Sequence, residues 1–143
     1  MKPKTLLMIF PAILMVTWLF FLGQSVTAGI LQIDSKLAKD PLIVTGKSGG
    51  TVSSNCGNIP ATPHQILRLK KSLPYLRLTV ESEGKPTLLI DGPGGKFCVL
   101  PDAYSGNKPT MSGFFPKGDY SLSIGQLIKA NPNYTLSISG QKK

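Results

Sequence analysis

In "YLRLTVES", residues 75–82, Leu76, Leu78 and Val80 alternate with Arg77, Thr79 and Glu81. A period of two places the leucines and the valine on one face of a strand and the polar residues on the other. Such a strand cannot stand alone, because its apolar face needs a second layer to cover it. The pattern returns along the chain. "ILRLK" puts Leu69 on the buried phase, "YSLSI" aligns Tyr120, Leu122 and Ile124, and "YTLSIS" aligns Tyr134, Leu136 and Ile138. "TLLID" and "KFCVL" are further short apolar runs, and turn residues in "EGKP", "DGPGGK", "PKGD" and "NPN" separate them. Seven or so short strands bounded in this way predict an all-β chain, an antiparallel sandwich or barrel with one wet face on each sheet.

The first 28 residues have a different logic. Lys2 and Lys4 precede an uncharged run from Thr5 to Val26, which ends in the small-residue exit Val26-Thr27-Ala28. That is the layout of a secretory signal peptide over residues 1–28, with a retained membrane anchor as the alternative. Either way the rest of the chain lies outside the cytoplasm, in the periplasm or the extracellular space. We expect an N-terminal arm at residues 29–45, with a first strand at Leu42 to Thr45, and a β-sandwich domain at 46–143. In an oxidising compartment Cys56 and Cys98, the chain's two cysteines, read as one structural disulfide.

The formal net charge is +9, two units of it on Lys2 and Lys4. Such a surface favours anionic company, an acidic polysaccharide, lipid headgroups or an acidic protein face. Nucleic acid is not expected, since the basic residues are scattered and no recognition motif accompanies them. Membrane contact is expected only through an uncleaved N-terminal segment. Arg68 and Lys70 share a strand face beside Lys71, and Arg77 on the following strand is placed to join them in an anion-facing patch. Phe114 and Phe115 are adjacent and therefore point to opposite faces, one toward the core and one outward, where it could stack beside Tyr104.

Catalytic patterns are missing. The single histidine, His64, sits in the Pro-flanked "PATPHQ" and reads as a surface loop residue without an acid–base partner. It cannot assemble a zinc site alone. Glu81 and Glu83 read as a solvated strand end, and "GPGGK" lacks the spacing and following helix of a phosphate loop. No enzyme activity is expected.

Four segments together, "PYLRLTVES", "TLLIDGPGGKFC", "FFPKGDYSLSIG" and "NYTLSIS", resemble the small secreted bacterial domains close to the pre-peptidase C-terminal (PPC) domains. The likeness spans about residues 55–139. It implies a jelly-roll-like β-sandwich and a non-catalytic accessory or binding role. In related domains an acidic cluster after the second cysteine can take calcium, which makes a calcium-binding structural domain the alternative function. Here Val99, Leu100 and Pro101 occupy that place, leaving only Asp102 and Asn107 as weak metal candidates. Calcium requires six to eight oxygens, several from carboxylates, so no cofactor is expected.

Overall fold

The alternating runs become strands because each apolar face meets a second sheet. The computed structural model describes residues 28–143, so the expected signal segment lies outside the described residues. Eleven strands and no helix make up this part of the chain. One sheet is built around β10 (Gly118–Gln126). Along one edge of β10 lie β5 (Gln65–Leu69) and, further on, β4 (Gly57–Ile59); along its other edge lies β7 (Pro86–Gly92). β1 (Gly29–Ile33) extends this sheet beside β5, β3 (Val52–Ser54) beside β4, and β8 (Gly95–Val99) beside β7. The second sheet runs β2 (Leu42–Lys47), β11 (Asn133–Ser139), β6 (Leu73–Ser82), β9 (Thr110–Phe115). All pairings are antiparallel except β1 with β5, and the two sheets form the expected jelly-roll-like sandwich.

The core is the sum of the inward phases. Leu76, Leu78 and Val80 of β6 and Leu136 and Ile138 of β11 meet Leu67, Leu88, Leu122 and Ile124 of the facing sheet, all essentially inaccessible. Each buried Leu or Ile contributes about 1.5–3 kcal/mol relative to leaving it in water. Nearly the whole set lies on strands read from the alternation. Ile33, on β1, is also buried in this core.

The expected arm at 29–45 is part of the sandwich. β1 completes one sheet and β2 completes the other, so the expected boundary at residue 46 falls inside β2. β2 matches the strand expected at Leu42 to Thr45 and runs on to Lys47, whereas β1 is an unexpected edge strand with one protein neighbour, and half-exposed edge strands carry weak alternation. β4 was likewise hidden in a Gly/Ser-rich stretch. Gly57 at its start takes φ +77° where a Cβ would press on the Gln126 carbonyl oxygen, a position that only glycine fills without strain.

Strand direction sorts the connections into two ends. β1, β5, β7, β9 and β11 finish at one end, where β2, β6, β8 and β10 begin. That end therefore collects the 34–41 loop, the 70–72, 93–94 and 116–117 turns, and the C-terminus. Gly29 lies midway along the sandwich, level with Gln65 and Leu122.

Candidate functional site

The glycine-rich "DGPGGK" folds as a two-residue turn, with Gly92 opposite Gly95 and Pro93-Gly94 between them. It lifts β8 to the rim of its sheet, where it pairs only with β7. β9 is the rim of the other sheet and pairs only with β6. Both rims lie on the same side, and between them runs an apolar groove of about 230 Å³. Its base is buried Ile90, Phe115 and Tyr120; Gly94, Gly95 and Gly113 leave its walls open. Tyr120 is fixed by donating its hydroxyl to the Pro116 carbonyl at 2.6 Å, and burial raises its pKa.

Adjacent Phe114 and Phe115 separate as strand geometry requires. Phe115 is 5% exposed against the Tyr120 ring (centroids 5.4 Å apart), and Phe114 is 64% exposed on the rim of the groove. The second aromatic at this rim is Phe97 of β8, 48% exposed. Tyr104 is not among the groove's residues; it stands fully exposed on the 100–109 loop. The expected pairing of an outward Phe with Tyr104 is therefore not seen in the groove; the partner is Phe97, because the approach of β8 to β9 is a tertiary fact.

The loop after β8 is held by its own polar residues. Asp102 Oδ1 accepts from the Ser105 amide (2.8 Å) and hydroxyl (3.0 Å), and the Asp102 carbonyl accepts from the Asn107 amide at 2.8 Å. Those bonds, the Ser105 amide foremost, hold the Asp102 carboxyl below its ordinary range. Asn107 adopts φ +60°, which asparagine tolerates better than most residues. Among the described residues, no three His, Cys, Asp or Glu side chains converge as a metal cage would need. Glu81 lies 3.6 Å from Lys108, and Glu83 is in the turn beyond β6.

The expected basic patch is divided. The 70–72 turn crosses between sheets, so Arg77 lies on β6 of one sheet and Arg68 on β5 of the other. Each arginine already has a protein partner. Arg68 donates from Nε and Nη2 to both oxygens of its cross-strand neighbour Asp119, at 3.0 and 3.2 Å, which lowers the Asp119 pKa. Arg77 donates to the Lys142 carbonyl. Lys70 and Lys71 stay in place at the strand end, and Lys117 joins them, its amide bonded to Ser72 Oγ at 2.9 Å. "PKGD" signalled a turn; nothing in it shows which other turn it touches.

Lysines gather at this end of the sandwich. Lys36 and Lys39 stand in the 34–41 loop, Lys70 and Lys71 in the next turn, Lys117 in a third, and Lys142 and Lys143 at the C-terminus. Among the described residues none of these has a carboxylate within ion-pair distance. The nearby acids are engaged, Asp119 with Arg68, Asp40 with the Ser139 hydroxyl (2.6 Å) and the Gly140 amide (2.9 Å), and Asp34 with the Gln32 side-chain amide (3.0 Å). At the opposite end Lys47, Lys85, Lys108 and Lys129 are nearly balanced by Glu81, Glu83 and Asp102. The net positive charge is thus concentrated at one pole.

His64 departs from its expected role as a loose surface residue. Its Nδ1 accepts from the Ile124 amide at 3.0 Å, and its Nε2 lies 2.7 Å from the Lys47 carbonyl, so Nε2 carries the proton. The ring also meets Tyr134 edge-on at 5.1 Å. One neutral imidazole thereby ties β10 to β2 across the two sheets. Burial, only partly opposed by the Lys47 carbonyl, lowers its pKa. The unfolded chain therefore takes up a proton first as pH falls, and the stability that this clamp supplies is present above the unfolded value of about 6.5 and lost as pH drops through the lower folded value. Because this is the chain's single histidine, we expect the urea midpoint to fall between about pH 7 and about pH 5, and His64→Gln to flatten that slope. An unchanged slope would show that the ring does not titrate with folding.

No family profile matches the chain. An uncharacterized protein of Synechococcus elongatus, Synpcc7942_2126, is 35% identical over 104 residues, covering 70% of this chain and 76% of the relative. Among solved structures, the pre-peptidase C-terminal domain of a Bacillus anthracis collagenase superposes with a TM-score of 0.51 at 11% identity, over 80% of this chain and 99% of that domain. The expected PPC-like resemblance holds at the level of fold.

Proposed function

Given that the chain belongs to the same family as the Synechococcus elongatus protein, we propose that it is an exported, non-catalytic accessory module whose lysine pole meets an anionic partner. The observation that carries this reading is the concentration of unpaired lysines at one end, with the neighbouring carboxylates already bonded. Clustered cations with few local anions raise the local concentration of a polyanion and guide its approach. The PPC-like fold supports an accessory role, and the Cys56–Cys98 bridge supports life in an oxidising compartment. The calcium reading finds no support in the 100–109 loop, whose carboxylate caps its own turn.

Retention on an immobilised polyanion tests the proposal. The full chain is expected to bind at low salt and elute as salt rises, since exposed charges are screened over about 10 Å at 0.1 M. The Lys70→Ala/Lys71→Ala/Lys117→Ala variant is expected to elute at clearly lower salt with an unchanged melting temperature. Retention that is indifferent to salt, or to these lysines, would sink the electrostatic reading.

A further inference from the structure

We propose that the anionic partner is an acidic polysaccharide, and that the groove between β8 and β9 seats one of its sugar rings; this inference rests on the lysine pole being the anion site. The groove and the pole are continuous. Pro116 lines the groove and Lys117 follows it, with its amide bonded to Ser72 beside Lys71. On the other rim, Pro93, in the turn before groove residues Gly94 and Gly95, packs against Gly118, the residue after Lys117. A polymer lying along the groove therefore meets two exposed phenyl faces and then lysines.

The lining fits a sugar better than a purely apolar guest. A pyranose carries an apolar C–H face, which an aromatic ring can cover, and hydroxyls at its edge, which need hydrogen-bonding groups. Phe97 and Phe114 offer the first. The rim strands β8 and β9 offer the second, since each has a sheet partner on one side only and so presents backbone N–H and C=O groups along its free edge. Ser112 adds a hydroxyl to the lining. The walls at Gly94, Gly95 and Gly113 carry no side chain, and nothing stands within 4 Å of where a Cβ would be at Gly95 or Gly113, so the groove stays open there. A carboxylate or sulfate on the ring, or on its neighbour, then reaches Lys117 or Lys71. A polyphosphate would satisfy the lysines but leave the phenyl rims without a partner.

Calorimetric titration of the full chain tests this with oligogalacturonate, a neutral cello-oligosaccharide of equal length, and inorganic polyphosphate. Oligogalacturonate is expected to bind and the neutral sugar not. Phe114→Ala and Phe97→Ala are expected to weaken oligogalacturonate about five- to tenfold each, as loss of one aromatic contact does, and to leave polyphosphate unchanged. Both rings are exposed, so the melting temperature should stay put and serves as the folding control. Unchanged oligogalacturonate affinity in both phenylalanine variants overturns the groove assignment. If the lysine variant still weakens both anions in that case, the pole survives and only the sugar seat fails. No binding of either anion overturns both.

Discussion

Replacing Cys56 and Cys98 with serine is expected to lower the unfolding free energy by about 4 kcal/mol, the chain-entropy cost of releasing a loop of this size. The bridge spans 42 residues of sequence with Cα atoms 5.7 Å apart, and joins the turn before β4 to the rim strand β8. Without it the β3–β4 hairpin keeps a one-residue pairing to β10, at Gln126↔Asn58. Further ties are the Asn58 side chain on the Gln126 and Ile128 carbonyls, and the buried Thr87 hydroxyl on the Cys56 carbonyl at 2.7 Å. The melting temperature should drop by roughly 10–20 °C for a domain of about this size. Cys56 is buried but Cys98 is exposed, so dithiothreitol should reach the bridge in the folded protein and reproduce the serine variant. A loss under about 1 kcal/mol would mean that the unfolded chain is not much constrained by the crosslink.

Gln126→Met should cost about 2–4 kcal/mol, although the side chain keeps its length and gains apolar character. Gln126 is fully buried at the end of β10, and its amide is a hub. Nε2 donates among Ser48 Oγ (2.9 Å), the Glu83 carbonyl (3.0 Å) and Ser82 Oγ (3.3 Å), while Oε1 accepts from the Lys85 amide at 2.9 Å. Among the described residues no buried side-chain nitrogen or oxygen lacks a partner, and methionine would break that state at several points together. The orphaned Lys85 amide would carry a desolvation penalty, the Glu83 carbonyl would keep only the Ser82 hydroxyl, and networks of this kind lose more than single bonds suggest. Equilibrium urea unfolding measures the effect. A variant as stable as the parent would show that water replaces the amide.

The sequence was most legible where one strand carries its own pattern. Leu76, Leu78 and Val80 announced β6 because both neighbours of that strand are protein, and each inward residue is fully covered. Edge strands were harder, since half their surroundings are solvent. Cys56 and Cys98 were legible from count and compartment alone. Sites that depend on which turn touches which were not. Arg68 and Arg77 stand nine residues apart and looked like neighbours, yet a three-residue turn sends them to different sheets. Alternation parts Phe114 from Phe115 but does not say which faces outward, and the aromatic companion of Phe114, Phe97, comes from a rim that only folding brings near. His64 and Gln126 carry no local signature, because their partners Lys47, Ile124, Ser48 and Lys85 are gathered from distant strands.

The entry of β1 into the fold sets a distance. Gly29 lies beside Gln65, which lies beside Leu122, so β1 begins midway along β10 and ends at Ile33, level with Leu69 and Gly118 at the lysine end. Its five residues, at about 3.3 Å each, span roughly 16 Å. The chain thus joins the sandwich partway up one flank, about half the length of β10 from the lysines, and β1 acts there as a short clasp along the edge of β5.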